Sequence, residues 1–153
     1  MKEWKILLIE DNPAHVLITR EAFAEAKTEG EPHTVEITNV RDGIEALKYL
    51  SNCKSEGVCP DLIIIDINLP QLNGLDLLKK IKSHKDYKQI ISIIVTNGTR
   101  EAEKLEAYSR HANAFIIKPF KYDDFLEMIE LMTQFWFEYA TVPTNIIGGL
   151  DGK

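Results

Sequence analysis

The chain has 153 residues, of which 44% are hydrophobic and 27% charged, and its formal net charge is −6 at pH 7. This length fits one compact domain, and the apolar content excludes a chain that stays disordered. The negative charge argues against a nucleic-acid binder, which needs a basic face for phosphate contacts.

No apolar run approaches the roughly 20 residues needed to cross a bilayer. The N-terminus lacks the apolar stretch and cleavage site of a secretory signal, so we expect a cytoplasmic protein without membrane contact. Two cysteines, Cys53 and Cys59, flank a polar loop that contains no histidine or third thiol. We therefore expect reduced thiols rather than a zinc site or a disulfide.

Short apolar runs alternate along the chain with longer segments of helical periodicity. The predicted strands are residues 4–9, 34–40, 62–66, 90–96 and 114–118. The predicted helices are residues 13–27, 43–53, 75–84, 100–111 and 122–139. This alternation predicts an α/β fold in which helices cover both faces of a five-stranded parallel sheet. We expect residues 1–140 to form the domain and residues 141–153 to be a flexible tail, because proline and glycine concentrate there.

The predicted strands end in residues that carry chemistry. Glu10 and Asp11 follow the first strand, and the third, fourth and fifth strands end in Asp66, Thr96 and Lys118. Ligands of open parallel sheets bind outside the carboxyl ends of the strands. Converging carboxylates repel one another unless a cation lies between them, and Mg²⁺ prefers oxygen ligands. The sequence therefore predicts a Mg²⁺ site at this edge.

Such a cation would favour phosphoryl transfer to Asp66, because it would offset the repulsion between the carboxylate and the incoming phosphate. Lys118 could pair with one phosphate oxygen, and Thr96 could donate its hydroxyl to another. Each of these residues also has an ordinary interpretation as a helix cap, turn, strand end or surface charge. Their combination at four strand ends is what favours a phosphoacceptor site.

The same segments resemble the receiver domain of bacterial response regulators, the family of the chemotaxis regulators. The resemblance covers residues 5–139 and rests on the segments ILLIEDN at 6–12, PDLIIIDINLP at 60–70, Asn73-Gly74, Thr96 and FIIKPF at 115–120. It implies a doubly wound, flavodoxin-like receiver fold. It also implies a two-component switch that a sensor histidine kinase phosphorylates, with no enzymatic activity beyond its own phosphorylation and dephosphorylation.

The resemblance assigns roles to individual residues. Asp66 would be the phosphoacceptor. Glu10, Asp11, Asp66 and the backbone carbonyl of Asn68 would hold Mg²⁺, for which Mn²⁺ or Ca²⁺ could substitute. A phosphohydrolase that forms an aspartyl phosphate would usually carry a second aspartate where this chain has Asn68, which disfavours that rival function.

Further residues would read the phosphorylated state. Thr96 and Lys118 would contact the phosphoryl group, and Phe115 would change rotamer with them. The Lys118–Pro119 peptide bond would be cis, as proline permits. Asn97 stands where the family usually has a small residue, so it could crowd the path to the phosphoryl group and slow phosphorylation.

Gly98 could leave space for an attacking water, with Asn68 as the other side chain near that route. We therefore expect autodephosphorylation within the ordinary range of the family. Of the four histidines, all predicted to be surface residues, His15 lies one turn beyond the acid pair.

Other details resemble the single-domain regulators that partner cyanobacterial-type phytochrome histidine kinases. They are Asn12-Pro13, Arg41-Asp42-Gly43, the long loop after the second helix and Phe135-Trp136-Phe137. A phytochrome-type kinase is therefore one expected partner, although kinases that sense other stimuli pair with regulators of this group. A phosphorelay intermediate and an interaction module that works without phosphorylation remain alternatives.

The last predicted helix carries more aromatic surface than one core stripe needs. Residues at helical spacing are expected to dock on the sheet: Phe125, Met128, Ile129, Met132 and Trp136. Phe135, Phe137 and Tyr139 lie outside this stripe, and aromatic residues are enriched in interfaces. This predicts a homodimer through the fourth helix, fifth strand and fifth helix. The alternative is that the tail folds back over these rings.

Overall fold

The computed structural model describes residues 2–27, 29–30, 32–97 and 100–143. Its strands are β1 (Lys2–Ile9), β2 (His33–Val40), β3 (Leu62–Ile65), β4 (Ile91–Thr96) and β5 (Ala114–Ile117). Its helices are α1 (Pro13–Glu25), α2 (Gly43–Glu56), α3 (Gly74–Ser83), α4 (Glu101–Ser109) and α5 (Tyr122–Thr133), and α5 continues into a π-helix (Gln134–Tyr139). From residue 144 onward, the predicted tail lies outside the described residues.

The five strands form one parallel sheet in the order β2-β1-β3-β4-β5. This arrangement confirms the predicted doubly wound fold. Because β1 and β3 are neighbours and the chain turns in opposite directions from them, the strand order reverses at their carboxyl ends. That reversal is where an open parallel sheet places its ligand site.

The sheet separates two apolar cores, because successive side chains of a strand point to opposite faces. Leu7, Ile63 and Ile65 pack with α2, α3 and α4 on one face. Ile6, Leu62 and Ile64 pack with α1 and α5 on the other. Every residue of β3 and β4 is buried, which explains why these strands are apolar in the sequence apart from Ser92 and Thr96. No described helix is long and apolar enough to cross a membrane.

Gly74 lets α3 begin close to the backbone of the turn that follows β3. Its N–H donates to the Ile67 carbonyl at 2.9 Å. A Cβ atom at this position would lie 2.1 Å from the backbone oxygen of Asp66. The absence of a side chain therefore lets α3 approach the turn that carries Asp66, while the Asn73 side chain caps the helix by accepting the Asp76 N–H at 2.9 Å.

The π-helix after α5 places Phe137 in the core, whereas we predicted this residue on a dimer face. The Ala140 N–H donates to the carbonyl of Phe135, five residues earlier, at 2.7 Å. The wider turn rotates Phe137 toward the sheet, where it is 9% exposed and stacks on Trp4. Phe137 is therefore part of the core rather than of a dimer face. Trp136, predicted to dock on the sheet with this stripe, packs against the core but is only partly buried.

Side chains of α5 and the π-helix also fasten the loop between α1 and β2. Glu130 accepts the Lys27 N–H at 2.9 Å, and the Gln134 side chain bonds both the N–H and the carbonyl of Glu29 at 3.0 and 3.2 Å. His33 lies 3.7 Å from a Glu138 oxygen and is partly buried, in contrast to the predicted surface position. This loop is thus held by α5 and the π-helix.

Candidate functional site

Three carboxylates meet where the strand order reverses. One oxygen of each of Glu10, Asp11 and Asp66 lies within 4.8 Å of the other two. Glu10 is 4% exposed and Asp66 9% exposed. The three acids that the sequence places after β1 and β3 are therefore brought together at one edge of the sheet.

Backbone hydrogen bonds fix the two buried acids. The Asp66 N–H donates to the Ile9 carbonyl at 3.1 Å, so Asp66 continues the β1–β3 ladder just after β3 ends. The Asn12 N–H donates to Glu10 Oε2 at 3.2 Å, and the Asn68 N–H donates to Asp66 Oδ1 at 3.3 Å. Both carboxylates are thus oriented by the turns that follow their strands.

The electrostatics of the cluster favour a cation. Burial raises the pKa of Glu10, and the nearby charge of Asp66 raises it further, against a smaller opposing effect of Lys118. A divalent cation between the acids would offset both effects. The donor set consists of carboxylate oxygens, with the backbone of exposed Asn68 close by, and this chemistry fits a hard divalent ion.

Lys118 reaches the cluster from the end of β5. Its Nζ donates to Glu10 Oε1 at 3.3 Å and lies 3.2 Å from His15 Nδ1. Its backbone N–H donates to the Thr96 carbonyl at 2.8 Å, which fixes the strand end. His15, predicted to be a surface residue, is therefore part of this site. In the sequence, its position one turn after Asp11 is the signal that indicates this role.

The predicted cis bond at Lys118–Pro119 is wrong. Every peptide bond among the described residues is trans, including this one. A trans bond before proline is favoured by about 0.5–1 kcal/mol in the absence of other constraints. The side chain of Phe120, next in the chain, is fully exposed.

The predicted switch residues lie at the end of β4, just after it and within β5, at different depths. Thr96 is fully buried, whereas Asn97 is exposed. Phe115 is partly buried, and its N–H donates to the Tyr108 hydroxyl at 3.1 Å. Gly98, which was expected to leave room for an attacking water, lies outside the described residues.

The chain is similar to a known protein family and to curated proteins. The response regulator receiver domain matches residues 6–130. The probable methanogenesis regulatory protein FilR2 of Methanothrix harundinacea is 31% identical over 139 residues, 90% of this chain and 86% of FilR2. Response regulator Rcp1 of Synechocystis is 31% identical over 140 residues, 90% of this chain and 92% of Rcp1.

The solved structures that resemble this chain are also response regulators. The phosphorylated cyanobacterial phytochrome response regulator RcpA has a TM-score of 0.82 and 33% identity, covering 93% of this chain and 99% of RcpA. The Mn²⁺-bound form of Rcp1 has a TM-score of 0.78 and 29% identity, covering 92% of this chain and 99% of Rcp1. Sequence and structure therefore point to one family.

Proposed function

Because the chain belongs to the response regulator receiver domain family, we propose that it is a single-domain response regulator phosphorylated on Asp66 by a sensor histidine kinase. The observation that carries this proposal is the meeting of Asp66 with Glu10 and Asp11, within reach of one cation, beside the ammonium group of Lys118. Similarity to Rcp1 and RcpA over nearly their whole lengths supports the single-domain assignment. In this function the protein is a phosphoacceptor switch rather than an enzyme acting on other molecules.

The proposed reaction is a phosphoryl transfer with a carboxylate nucleophile. An oxygen of Asp66 attacks the phosphorus atom of a phosphohistidine. An O–P bond forms, the P–N bond breaks, and its electron pair stays on the leaving imidazole. Asn68, whose N–H holds one Asp66 oxygen at 3.3 Å, limits rotation of the nucleophile. Lys118 would donate to an oxygen of the transferred group and offset its charge.

We propose that the cation is Mg²⁺. Glu10, Asp11, Asp66 and the backbone carbonyl of Asn68 would hold it. When bound, the ion would neutralise charge between the carboxylate and the phosphoryl oxygens. The Mn²⁺-bound structure of Rcp1 and the all-oxygen donor set support a hard divalent ion at this position.

The proposed output is a conformational change on the surface formed by α4, β5 and α5. Thr96 would donate its hydroxyl to the phosphoryl group, and Phe115 would change rotamer with it. Tyr108 links these elements, because its hydroxyl on α4 accepts the N–H of Phe115 on β5. A charge gained at Asp66 would thus reach an exposed surface through short contacts.

A homodimer through this surface is the proposed assembly. Large apolar side chains on α4, β5, α5 and the π-helix are at least half exposed: Leu105, Tyr108, Ile117, Leu131, Phe135 and Tyr139. Burying such side chains against a second copy would remove their apolar area from water. Light scattering with and without beryllofluoride, a phosphoryl mimic, tests this assembly, and a monomeric mass in both conditions would contradict it.

The similarity to RcpA supports a kinase of the phytochrome type, located with this protein in the cytoplasm. The similarity to FilR2 is equally strong in sequence, and it would suit a kinase that senses another stimulus. Phosphotransfer from a purified phytochrome-type kinase to this chain distinguishes the two partners.

Incubation with acetyl phosphate and Mg²⁺, followed by intact mass, tests the central proposal. Wild type should gain one phosphoryl group, and Asp66→Asn should gain none. Asp124→Asn, which removes an exposed acid on α5, is the matched control and should behave like wild type. No gain on wild type, or an equal gain on Asp66→Asn, would refute phosphorylation of Asp66.

A further inference from the structure

His15 contacts the ammonium group that the proposed reaction uses. Its Nδ1 lies 3.2 Å from Lys118 Nζ and 3.6 Å from Glu10 Oε1. The side chains of His15 and Lys118 are 28% and 13% exposed. The contact joins the first turn of α1 to the end of β5, across 103 positions of sequence.

The chemistry of the pair determines which atom donates. An ammonium group has three N–H donors and no acceptor, so His15 Nδ1 must be the acceptor and carry no hydrogen. The imidazole is therefore in the tautomer with its hydrogen on Nε2. A hydrogen on Nδ1 would place two donors face to face at this distance.

The two contacts hold Lys118 on one side of the acid cluster. Glu10 and His15 each accept one of its hydrogens. Glu10 provides the only carboxylate oxygen within 4.0 Å of Lys118 Nζ in the part of the chain that the structure describes. Asp66, the proposed nucleophile, does not pair directly with this ammonium group.

We propose that His15 is a positioning residue that holds Lys118 away from the incoming phosphoryl group and thereby slows phosphorylation of Asp66. This inference rests on the proposed function of Asp66. To reach a phosphoryl oxygen, Lys118 must turn from His15 and give up one hydrogen bond. Removing the acceptor at position 15 therefore lowers the cost of that turn.

Two variants separate the acceptor from the ring. His15→Phe keeps a ring of similar size and removes the acceptor. His15→Asn keeps an acceptor, because the amide oxygen is bonded to Cγ as Nδ1 is. Leu17→Ala, an exposed position on the same helix, controls for general effects on α1.

Rate constants for phosphorylation are measured with acetyl phosphate at saturating Mg²⁺. We expect His15→Phe to react roughly three- to tenfold faster than wild type, the factor that corresponds to one hydrogen bond. His15→Asn and Leu17→Ala should stay within about twofold of wild type, since a small surface change has little effect. An unchanged or slower His15→Phe, or a His15→Asn as fast as His15→Phe, would overturn the inference.

The imidazole itself provides a readout that a merely structural role would not change. Nitrogen-15 spectra of wild type should show the Nε2–H tautomer of His15, and the Nδ1 resonance should shift in Lys118→Met. An Nδ1–H tautomer, or no shift in Lys118→Met, would overturn the contact. Failure of wild type to gain a phosphoryl group would instead refute the proposed function, and these spectra would still decide whether His15 binds Lys118.

Discussion

The ring of Phe137 lies flat on the ring of Trp4, with centroids 4.2 Å apart and planes inclined by 6°. One ring comes from the first strand and the other from the π-helix that ends the described fold. The stack therefore joins the first strand to the π-helix on the face of the sheet that α1 and α5 cover.

Truncation of this ring should destabilise the whole domain. Phe137→Ala removes a side chain that is 9% exposed, and we expect the free energy of unfolding to fall by about 3 kcal/mol or more. Urea denaturation monitored by circular dichroism measures the change. Phe135→Ala, which truncates an exposed ring two residues earlier, should change stability by less than about 0.5 kcal/mol. Equal effects of the two variants would contradict the burial of Phe137.

Alanine substitutions at two helix-starting glycines should differ in cost. At Gly74, a Cβ would overlap the backbone oxygen of Asp66, and we expect a loss of about 1–3 kcal/mol. At Gly43, the nearest atom would be the end of the flexible Leu72 side chain, so Gly43→Ala should cost less. Thermal unfolding of both variants measures the difference. A Gly74→Ala protein as stable as Gly43→Ala would disprove the close approach of α3.

Lys82 should make stability depend on pH in the alkaline range. Burial lowers its pKa to about 8, from 10.5. The unfolded chain therefore binds more protons at this site between these two values, so the contribution of Lys82 to stability rises as pH increases through that window. Urea unfolding of wild type and Lys82→Met across the window measures this difference. A difference that stays constant with pH would contradict the lowered pKa.

Loss of Lys82 should also weaken the fold at neutral pH. Its Nζ donates to the carbonyls of Lys88 and Ile90 and to Asn113 Oδ1, at 2.8 to 3.1 Å. Lys82→Met leaves these acceptors without that donor, at an expected cost of about 1–3 kcal/mol. Lys85→Met, on an exposed side chain nearby, is the control and should have little effect.

Cation affinity should fall at acid pH. Burial and the charge of Asp66 raise the pKa of Glu10 above its ordinary value of 4.5, so protons compete with the cation at higher pH than for an exposed acid. Calorimetric titration with Mg²⁺ should show affinity decreasing as pH falls through this raised pKa. Glu10→Gln should bind more weakly and with less dependence on pH. A pH dependence unchanged in Glu10→Gln would assign the titration to another group.

The fold and the position of the acid cluster could be predicted from the sequence because both depend on local patterns. A strand covered on both faces is a continuous apolar run, and the residue that follows it lies at the sheet edge. Asp66 directly follows such a strand, β3, and Lys118 directly follows β5, a continuous apolar run at the edge of the sheet. The predicted strand simply ended one residue later than β3 does.

The remaining features depend on contacts or geometry that local patterns do not contain. A period of 3.6 residues assigns Trp136 to the core, where it packs but is only partly buried, whereas the π-helix buries Phe137 there more fully. The His15–Lys118 contact joins distant segments, and no local pattern specifies it. The cis and trans isomers of the Lys118–Pro119 bond differ too little in free energy for the dipeptide itself to determine which one forms.

The loop between α1 and β2 depends on residues that are synthesised much later than the loop itself. Its backbone is held by Glu130 and Gln134, about a hundred positions further along the chain. During synthesis, β1 and α1 emerge early, but the contacts of this loop with Glu130 and Gln134, and the stack of Trp4 on Phe137, form only after α5 and the π-helix have left the exit tunnel. The domain therefore cannot complete its folding in order from its N-terminus. In a stalled chain that ends before Gln134, Trp4 would lack the cover of Phe137 and would be more accessible to chaperones and proteases.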